Sequence, residues 1–366
     1  MRVLILADAQ FATHERALIE RVIVGLTVEG IEAQLVLPNE RELVGYRVGV
    51  LGEPLFYASR GLALTQKIRA AQIARQVADD NEDQTGIVDI VHVMGGAAWG
   101  MGRELARILG AGLVLEIWRS GLSDQARGLH LDAEQDRAMF LVPERAFEPQ
   151  LRQALPDAMI RCVPWGAQVP DEPVPIFRDE KLISIVLMST GRQSEQSLAA
   201  FDGIADAIAE REDVMVFANL EVVKRTGIWD RVKQRKLTGR FTIIDRSEDR
   251  RDLLLRCDLL IYPDTLHEER TLLLDAMGAG MAVIAGDDPK IAPLHEESGA
   301  MIIERSTREV WAEQVRAVIE SPDQAKVSAD QGRAYIKKHR RAALHIESLN
   351  DAYESLLAAE ANPDPS

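Results

Sequence analysis

Short apolar segments alternate with longer amphipathic segments along almost all of this chain, and that alternation constrains its fold most. Val3–Leu6 is an apolar run, Glu15–Glu29 carries apolar residues at helical spacing, and Ala33–Leu37 is apolar again. Strands that alternate with helices pair in parallel and are covered by helices on both faces. The sequence therefore predicts an α/β fold built on parallel sheets.

The chain is long enough for two domains, because 366 residues exceed what a single hydrophobic core usually serves. The segment Pro164–Pro175 contains five prolines or glycines and has the composition of a linker. We predict a first Rossmann-like domain over residues 1–165, a second over 166–345, and a C-terminal helix with a frayed tail over 346–366.

The remaining predicted strands are short apolar runs between helical segments. They are Ile87–Val93, Leu113–Trp118, Met139–Val142, Arg161–Val163, Ile183–Leu187, Val214–Ala218, Phe241–Ile244, Leu259–Tyr262, Ala282–Ala285 and Met301–Ile303. From Thr307 to about Ala359 the pattern is helical, with breaks near Pro322 and His339. Ligands of open parallel sheets bind beyond the carboxyl ends of the strands, so we expect the site in a cleft between the two domains.

The overall charge excludes some classes of partner. The net charge of −15 argues against nucleic-acid binding, which needs a basic surface, and against general attraction to anionic lipid. No apolar run approaches the roughly 20 residues that span a bilayer, so no transmembrane segment is expected, although peripheral membrane contact stays open. Two distant cysteines, Cys162 and Cys257, fit no metal or redox spacing and favour a cytoplasmic location.

One acid stands out in the stretch from Cys257 to Ala285. Asp275 lies in a predicted helix among leucines and Met277, where packing residues are expected. A buried carboxylate is costly unless a partner pairs with it. That partner is a ligand in one interpretation; in the other, Asp275 turns to solvent.

Several motifs resemble the glycosyl transferases group 1, glycosyltransferase family 4, most closely between about Leu182 and Tyr353. The family's strand ending in Gly-Arg corresponds to S-T-G-R, which ends at Gly191 and Arg192. Its Glu-Ala-Met-Ala-x-Gly-x-Pro-Val segment corresponds to D-A-M-G-A-G-M-A-V, which begins at Asp275. The runs D-L-L-L-R-C-D-L-L-I-Y-P, I-V-D-I-V-H-V-M-G-G and V-P-W-G-A are also similar to family segments.

The resemblance implies a GT-B fold, two Rossmann-like domains facing across a cleft, and transfer of a sugar with retention. The donor would be a nucleotide diphosphate sugar and the acceptor a saccharide, a lipid-linked sugar or a small molecule, with no metal and no resident cofactor. The implied donor-binding residues are Gly191, Arg192, Arg270, Thr271 and Asp275, the last contacting the ribose. His267 and Glu268 are the implied catalytic candidates, at the donor sugar.

Each of these residues also has a structural interpretation. Arg192 could pair with Glu195 or Asp202 at the surface, and Arg270 could form an exposed salt bridge. The segment from His267 to Glu268 could be a solvated loop. The glycines from Gly95 onward favour a tight turn over a phosphate loop, since no lysine accompanies them.

The sequence also departs from the family. His267 stands where the first motif glutamate is expected, E-E-R replaces the glycines that follow it, and Ser197 stands near the expected lysine. Those glycines would let backbone N–H groups approach the diphosphate. The departures favour an alternative, a non-catalytic homologue that serves as a binding or scaffolding module. A third hypothesis, a different two-domain α/β protein such as an epimerase, has no motif in its favour.

Overall fold

The computed structural model describes residues 1–39, 43, 53–58, 65–79, 87–132, 135–178, 182–245, 251–295 and 298–361. The chain divides into two compact units. The first unit contains Met1–Trp165 together with the chain from Ala342, and the second contains Gly166–Arg341. The first unit is therefore discontinuous in sequence, and its last helix returns to it after the second unit is complete.

The described part of the first unit contains a seven-stranded parallel sheet in the order β3-β2-β1-β4-β5-β6-β7. Its strands are β1 (Arg2–Ala7), β2 (Glu32–Pro38), β3 (Leu55–Tyr57), β4 (Ile90–Met94), β5 (Gly112–Glu116), β6 (Ala138–Val142) and β7 (Met159–Cys162). β1, β4 and β5 are buried along their whole length, because helices cover both faces of the sheet.

The α-helices described in this unit connect the strands, except for the last one. They are α1 (Ala9–His14), α2 (Arg16–Val28), α3 (Gln66–Asp79), α4 (Trp99–Leu109), α5 (Gly121–Arg127), α6 (Glu148–Ala154) and, after the second unit, α14 (Ala342–Ala361). α14 packs against α2, where a side chain at Gly25 would overlap Ile346.

The second unit has, among its described residues, a six-stranded parallel sheet in the order β10-β9-β8-β11-β12-β13. Its strands are β8 (Ile183–Leu187), β9 (Val214–Asn219), β10 (Phe241–Ile244), β11 (Leu259–Tyr262), β12 (Ala282–Gly286) and β13 (Met301–Ile303). The order repeats the doubly wound arrangement of a Rossmann fold, in which the chain reverses direction across the sheet between its first and fourth strands.

The α-helices of the second unit alternate with these strands and then continue past the sheet. They are α7 (Ser194–Ala207), α8 (Leu220–Thr226), α9 (Ile228–Gln234), α10 (Arg251–Leu254), α11 (Thr271–Ala279), α12 (Arg308–Glu320) and α13 (Pro322–His339).

The predicted strands all occur, with ends shifted by at most three residues. β3 was not predicted, because three residues are too few to show a period. The predicted helical breaks fall at Ser321 and Arg340, where α12 and α13 end. The predicted frayed tail lies, beyond Ala361, outside the described residues.

A polar network is buried in the first unit. His92 on β4 contacts two side chains: its Nδ1 lies 2.7 Å from the Tyr353 hydroxyl on α14, and its Nε2 lies 3.0 Å from Glu116 Oε2 on β5. Trp165 Nε1 donates to the other Glu116 oxygen at 2.5 Å. All four side chains are almost fully buried, so His92 is a core histidine. Glu116 thus connects Trp165, at the end of the segment Met1–Trp165, to His92, and His92 in turn contacts the returning helix α14.

Candidate functional site

The topological switch point of the second sheet lies between β8 and β11. The loops that follow these two strands lie at the carboxyl edge, where ligands of open parallel sheets bind. Asp264, which is 1% exposed, joins the two loops: it accepts hydrogen bonds from Ser189 Oγ at 2.5 Å and from Thr190 N at 2.7 Å. Asn219, at the end of β9, donates to the Ser189 carbonyl at 2.8 Å. The loop after β8 is therefore fixed by buried side chains.

Gly191 allows this loop to turn. Its φ of 67° lies in the left-handed region, which side chains disfavour. A Cβ at this position would lie 2.9 Å from Arg225 Cβ on α8. Arg225 in turn donates from Nη1 to the Thr190 carbonyl at 2.9 Å. A residue without a side chain is therefore required here, and the turn places Arg192 at the carboxyl edge of the sheet.

Arg192 forms an ion pair with Glu268, in the loop between β11 and α11. The Arg192 side chain is 34% exposed, whereas the Glu268 side chain is only 3% exposed. Asp202, one of the two surface partners considered for Arg192, pairs with Arg231. Two of the residues predicted to meet the donor thus lie side by side, although 76 positions separate them in sequence.

Asp275 is buried on α11 and has an arginine partner. Arg251 on α10 donates to its Oδ2 through Nε at 2.8 Å and also through Nη2. The two side chains are 10% and 9% exposed, respectively. Asp275 therefore does not turn to solvent, and a protein cation supplies the partner that a buried carboxylate needs. Its contact with a nucleotide ribose stays a prediction.

His267 is held by an aspartate after β12. Its Nδ1 lies 2.5 Å from Asp288 Oδ1, and its backbone N–H donates to Asp288 Oδ2 at 2.7 Å. Asp288 is 1% exposed and the His267 side chain is 36% exposed. His267 itself adopts a φ of 54°, which is uncommon for a residue with a side chain. Asp288 thus holds both the ring and the backbone of His267, while part of the side chain stays accessible.

Arg270 and Thr271 lie where α11 begins. Thr271 is fully buried and Arg270 occupies the N-cap position in extended conformation. A helix N-terminus and a nearby guanidinium both favour an anion. Burial, followed by the neighbouring charge of Asp264, raises the pKa of the Tyr262 phenol well above its usual value, so this hydroxyl stays neutral.

Buried acids are numerous at this edge of the sheet. Asp264, Glu268, Glu269 and Asp288 are each at most 4% exposed. Among the residues that the structure describes, no group of three or more His, Cys, Asp or Glu side chains is placed to hold a metal ion. The arginines and helix N-terminus therefore act within a strongly acidic surrounding.

The sequence did not identify Asp264, Arg251 or Asp288 as site residues. Asp264 comes two positions after the end of an apolar strand, close to where polar ligands of parallel sheets bind, so its position was a usable signal. Arg251 and Asp288 gave no local signal, because their importance comes from contacts with Asp275 and His267 across 24 and 21 positions.

The first unit has a corresponding loop at its own switch point, after β1 and β4. Asp8 caps α1 by accepting from Phe11 N at 2.8 Å, and it also accepts from Ala97 N at 3.0 Å. Gly95, at φ 104°, passes so close that an added Cβ would overlap the Asp8 carboxylate. Burial raises the pKa of Asp8, although the two backbone donors oppose this effect. Gly95 thus serves a tight turn, whereas Gly100 and Gly102 lie within α4.

Known proteins resemble this chain in structure and not in sequence. The sequence matches no protein-family model, and no curated protein matches it. Solved structures are similar over nearly the whole chain. A glycosyltransferase from Rickettsia africae has a TM-score of 0.71 at 13% identity, covering 97% of this chain and 98% of that one. Anabaena Alr3699/HepE in complex with UDP-glucose has a TM-score of 0.73 at 13% identity, covering 97% and 100%.

The chain has the fold of the GT-B glycosyltransferases. A putative UDP-N-acetylglucosamine 2-epimerase from Listeria monocytogenes shares it too, with a TM-score of 0.64 at 14% identity over 97% of this chain and 96% of that one. Structural similarity at such low identity establishes only the fold of two Rossmann-like domains, and the chemistry has to be argued from the site.

Among the helices that the structure describes, none is both long and apolar enough to cross a membrane.

Proposed function

We propose that this protein is a glycosyltransferase that takes its sugar from a nucleotide diphosphate sugar bound to the second unit. The observation that carries the proposal is the position of Arg192, which the Gly191 turn presents at the carboxyl edge of the sheet. HepE, which shares the fold, was crystallised with UDP-glucose.

Departure of a nucleoside diphosphate develops negative charge on its phosphate oxygens, which must be stabilised for transfer to occur. In our proposal Arg192 binds these oxygens through its forked guanidinium, and Arg270 with the α11 N-terminus at Thr271 supports them. Asp275 accepts a hydrogen bond from the ribose, directly or through a water. Losing one such contact typically costs roughly 10²–10³ in rate.

His267 and Glu268 are proposed to contact the donor sugar. Both lie in the loop that precedes α11, and the ring of His267 is oriented by Asp288. We further propose that transfer retains the anomeric configuration, as the resemblance to family 4 implies. The acceptor, a saccharide, lipid-linked or small molecule, is assigned to the first unit. A cytoplasmic location would give access to nucleotide sugars.

A non-catalytic homologue is the second candidate, and one specific observation favours it. Arg192 and Asp275 are both already paired with side chains of this protein, Glu268 and Arg251. The buried acids near Arg192 also oppose binding of a diphosphate. In this interpretation the fold is kept for binding or scaffolding, and turnover is absent.

Calorimetric titration tests the proposal. UDP, GDP, ADP and their glucose conjugates are titrated into the wild type, Arg192→Ala and Asp275→Asn, with Arg211→Ala as a matched control far from the carboxyl edge. We expect one nucleotide to bind, Arg192→Ala to weaken it at least tenfold, and the control to leave it unchanged. No binding of any nucleotide, by the wild type or by a Glu268→Gln variant that frees Arg192 of its internal anion, would eliminate the enzyme. Binding indifferent to both site variants would show that the site is misplaced.

Turnover then separates the candidates. The nucleotide sugar that binds is incubated with the protein, and its anomeric protons are followed by NMR. Release of the sugar with its original configuration supports a retaining transferase, and inversion contradicts that part of the proposal. Binding without turnover, for a range of saccharide acceptors, favours the non-catalytic homologue. Conversion into a nucleotide sugar epimer would instead support the third hypothesis.

A further inference from the structure

We infer that the Glu268 carboxylate occupies the anion position of Arg192, so that a ligand diphosphate binds by displacing an internal anion. This inference rests on the proposed function, because it concerns regulation of the same site. In addition to its proposed contact with the donor sugar, Glu268 then competes with the ligand diphosphate for Arg192.

The exposure of the two partners supports displacement of one anion by another. Glu268 is 3% exposed in its side chain, so the protein keeps the carboxylate close to the guanidinium. Arg192 is 34% exposed, so solvent, and therefore a ligand, reaches part of the guanidinium. A guanidinium binds carboxylate and phosphate through the same forked donors. The cation can therefore exchange one oxyanion for the other without moving far.

The backbone around Arg192 favours an exchange of partners over a movement of the arginine. The Gly191 N–H donates to Ser189 Oγ at 3.0 Å, and the Arg192 N–H donates to Thr190 Oγ1 at 3.3 Å. Asp264 holds both Ser189 and Thr190 by accepting hydrogen bonds from them. The backbone of Arg192 is thus held in a rigid turn, and what changes is the anion bound to its guanidinium.

The charge balance makes this competition unfavourable for the ligand. A diphosphate must approach a site where Asp264, Glu269 and Asp288 are also buried. At a distance of a few ångströms, removal of one negative charge near a phosphate changes its binding by roughly tenfold or more. The variant Glu268→Gln, which keeps the shape of the side chain, should therefore bind a diphosphate about ten times more tightly than the wild type.

The experiment uses UDP and inorganic pyrophosphate as probes, titrated calorimetrically into the full chain. The variants are Glu268→Gln, Arg192→Ala and the double variant that combines them. Asp213→Asn is the matched control: it removes the same charge from another arginine–carboxylate pair, with Arg211, in front of β9 at the opposite edge of the sheet. Glu268→Asp, which retracts the carboxylate, serves if Glu268→Gln does not melt cooperatively; it should tighten binding by a smaller factor.

The outcomes separate this inference from the proposed function. Tighter binding in Glu268→Gln that disappears in the double variant, with an unchanged control, supports the inference, even if the wild type binds too weakly to measure. UDP binding that needs Arg192 but is weakened or unaffected by Glu268→Gln overturns the inference and leaves the proposed function standing. Tightening that survives the loss of Arg192 also overturns it. No binding by wild type or Glu268→Gln overturns both.

Discussion

Replacement of Asp275 by alanine should destabilise the second unit strongly, because it leaves the Arg251 guanidinium buried without its carboxylate. The two side chains are about one-tenth exposed. For charge centres roughly 4 Å apart in a surrounding of effective dielectric constant ~20, Coulomb's law gives about 4 kcal/mol. Breaking a buried pair from one side costs about 3–5 kcal/mol in measured cases. We therefore expect a loss of about 3–4 kcal/mol for Asp275→Ala.

The double variant Arg251→Met with Asp275→Leu should cost much less than either single variant, since it removes both charges together and keeps side-chain volume. We expect a coupling free energy of about 2 kcal/mol or more between the two positions. Asp213→Asn, which breaks the exposed pair with Arg211, should cost less than about 1 kcal/mol.

Hydrogen exchange followed by mass spectrometry is the suitable assay, because a two-unit protein does not unfold in a single step. Peptides from α11 and β12 report the opening free energy of the second unit, and peptides from β4 and β5 serve as an internal reference. An Asp275→Ala variant whose α11 exchanges within about 1 kcal/mol of the wild type would refute the reasoning. The carboxylate would then contribute little to folding, and a role in ligand binding would gain weight.

Three other predictions concern different parts of the chain. Gly191→Ala should lower the free energy of unfolding by about 1–2 kcal/mol, since φ is 67°; a melting temperature equal to that of the wild type would contradict this. The hydrogen bond from Arg308 is the largest effect on the pKa of Asp206 and lowers it; burial raises it, Arg235 lowers it further, and the pKa is lowered overall. The stabilisation by Asp206 is therefore complete above pH ~4 and is lost as the pH falls through the lowered pKa. Asp206→Asn should accordingly melt earlier than the wild type at pH 7 and together with it at pH 2; a constant difference would argue against the ion pair. Burial raises the pKa of Cys257 to about 11, so iodoacetamide at pH 8 should label Cys162 first in peptide mass spectra, and the reverse order would contradict the placement of Cys257.

Periodic apolar runs were sufficient to locate the two sheets, because each strand and helix leaves a local pattern in the sequence. Gly191 was singled out only through the resemblance to family 4, and its left-handed backbone conformation was not predicted. The partners of the candidate residues were not predicted either. Arg251 reaches Asp275 over 24 positions, and Glu268 reaches Arg192 over 76. Such pairs arise when the topology brings separate loops to one edge, and no local period records them.

The sharing of Glu116 between Trp165 and His92 has a consequence for synthesis on the ribosome. The hydroxyl that meets His92 belongs to Tyr353, which is translated after every residue of the second unit. Domains generally fold in the order in which they emerge. Here the segment that emerges first must wait for α14 before its interior is complete, so residues 166–341 can reach their native packing while the older part of the nascent chain is still unfinished.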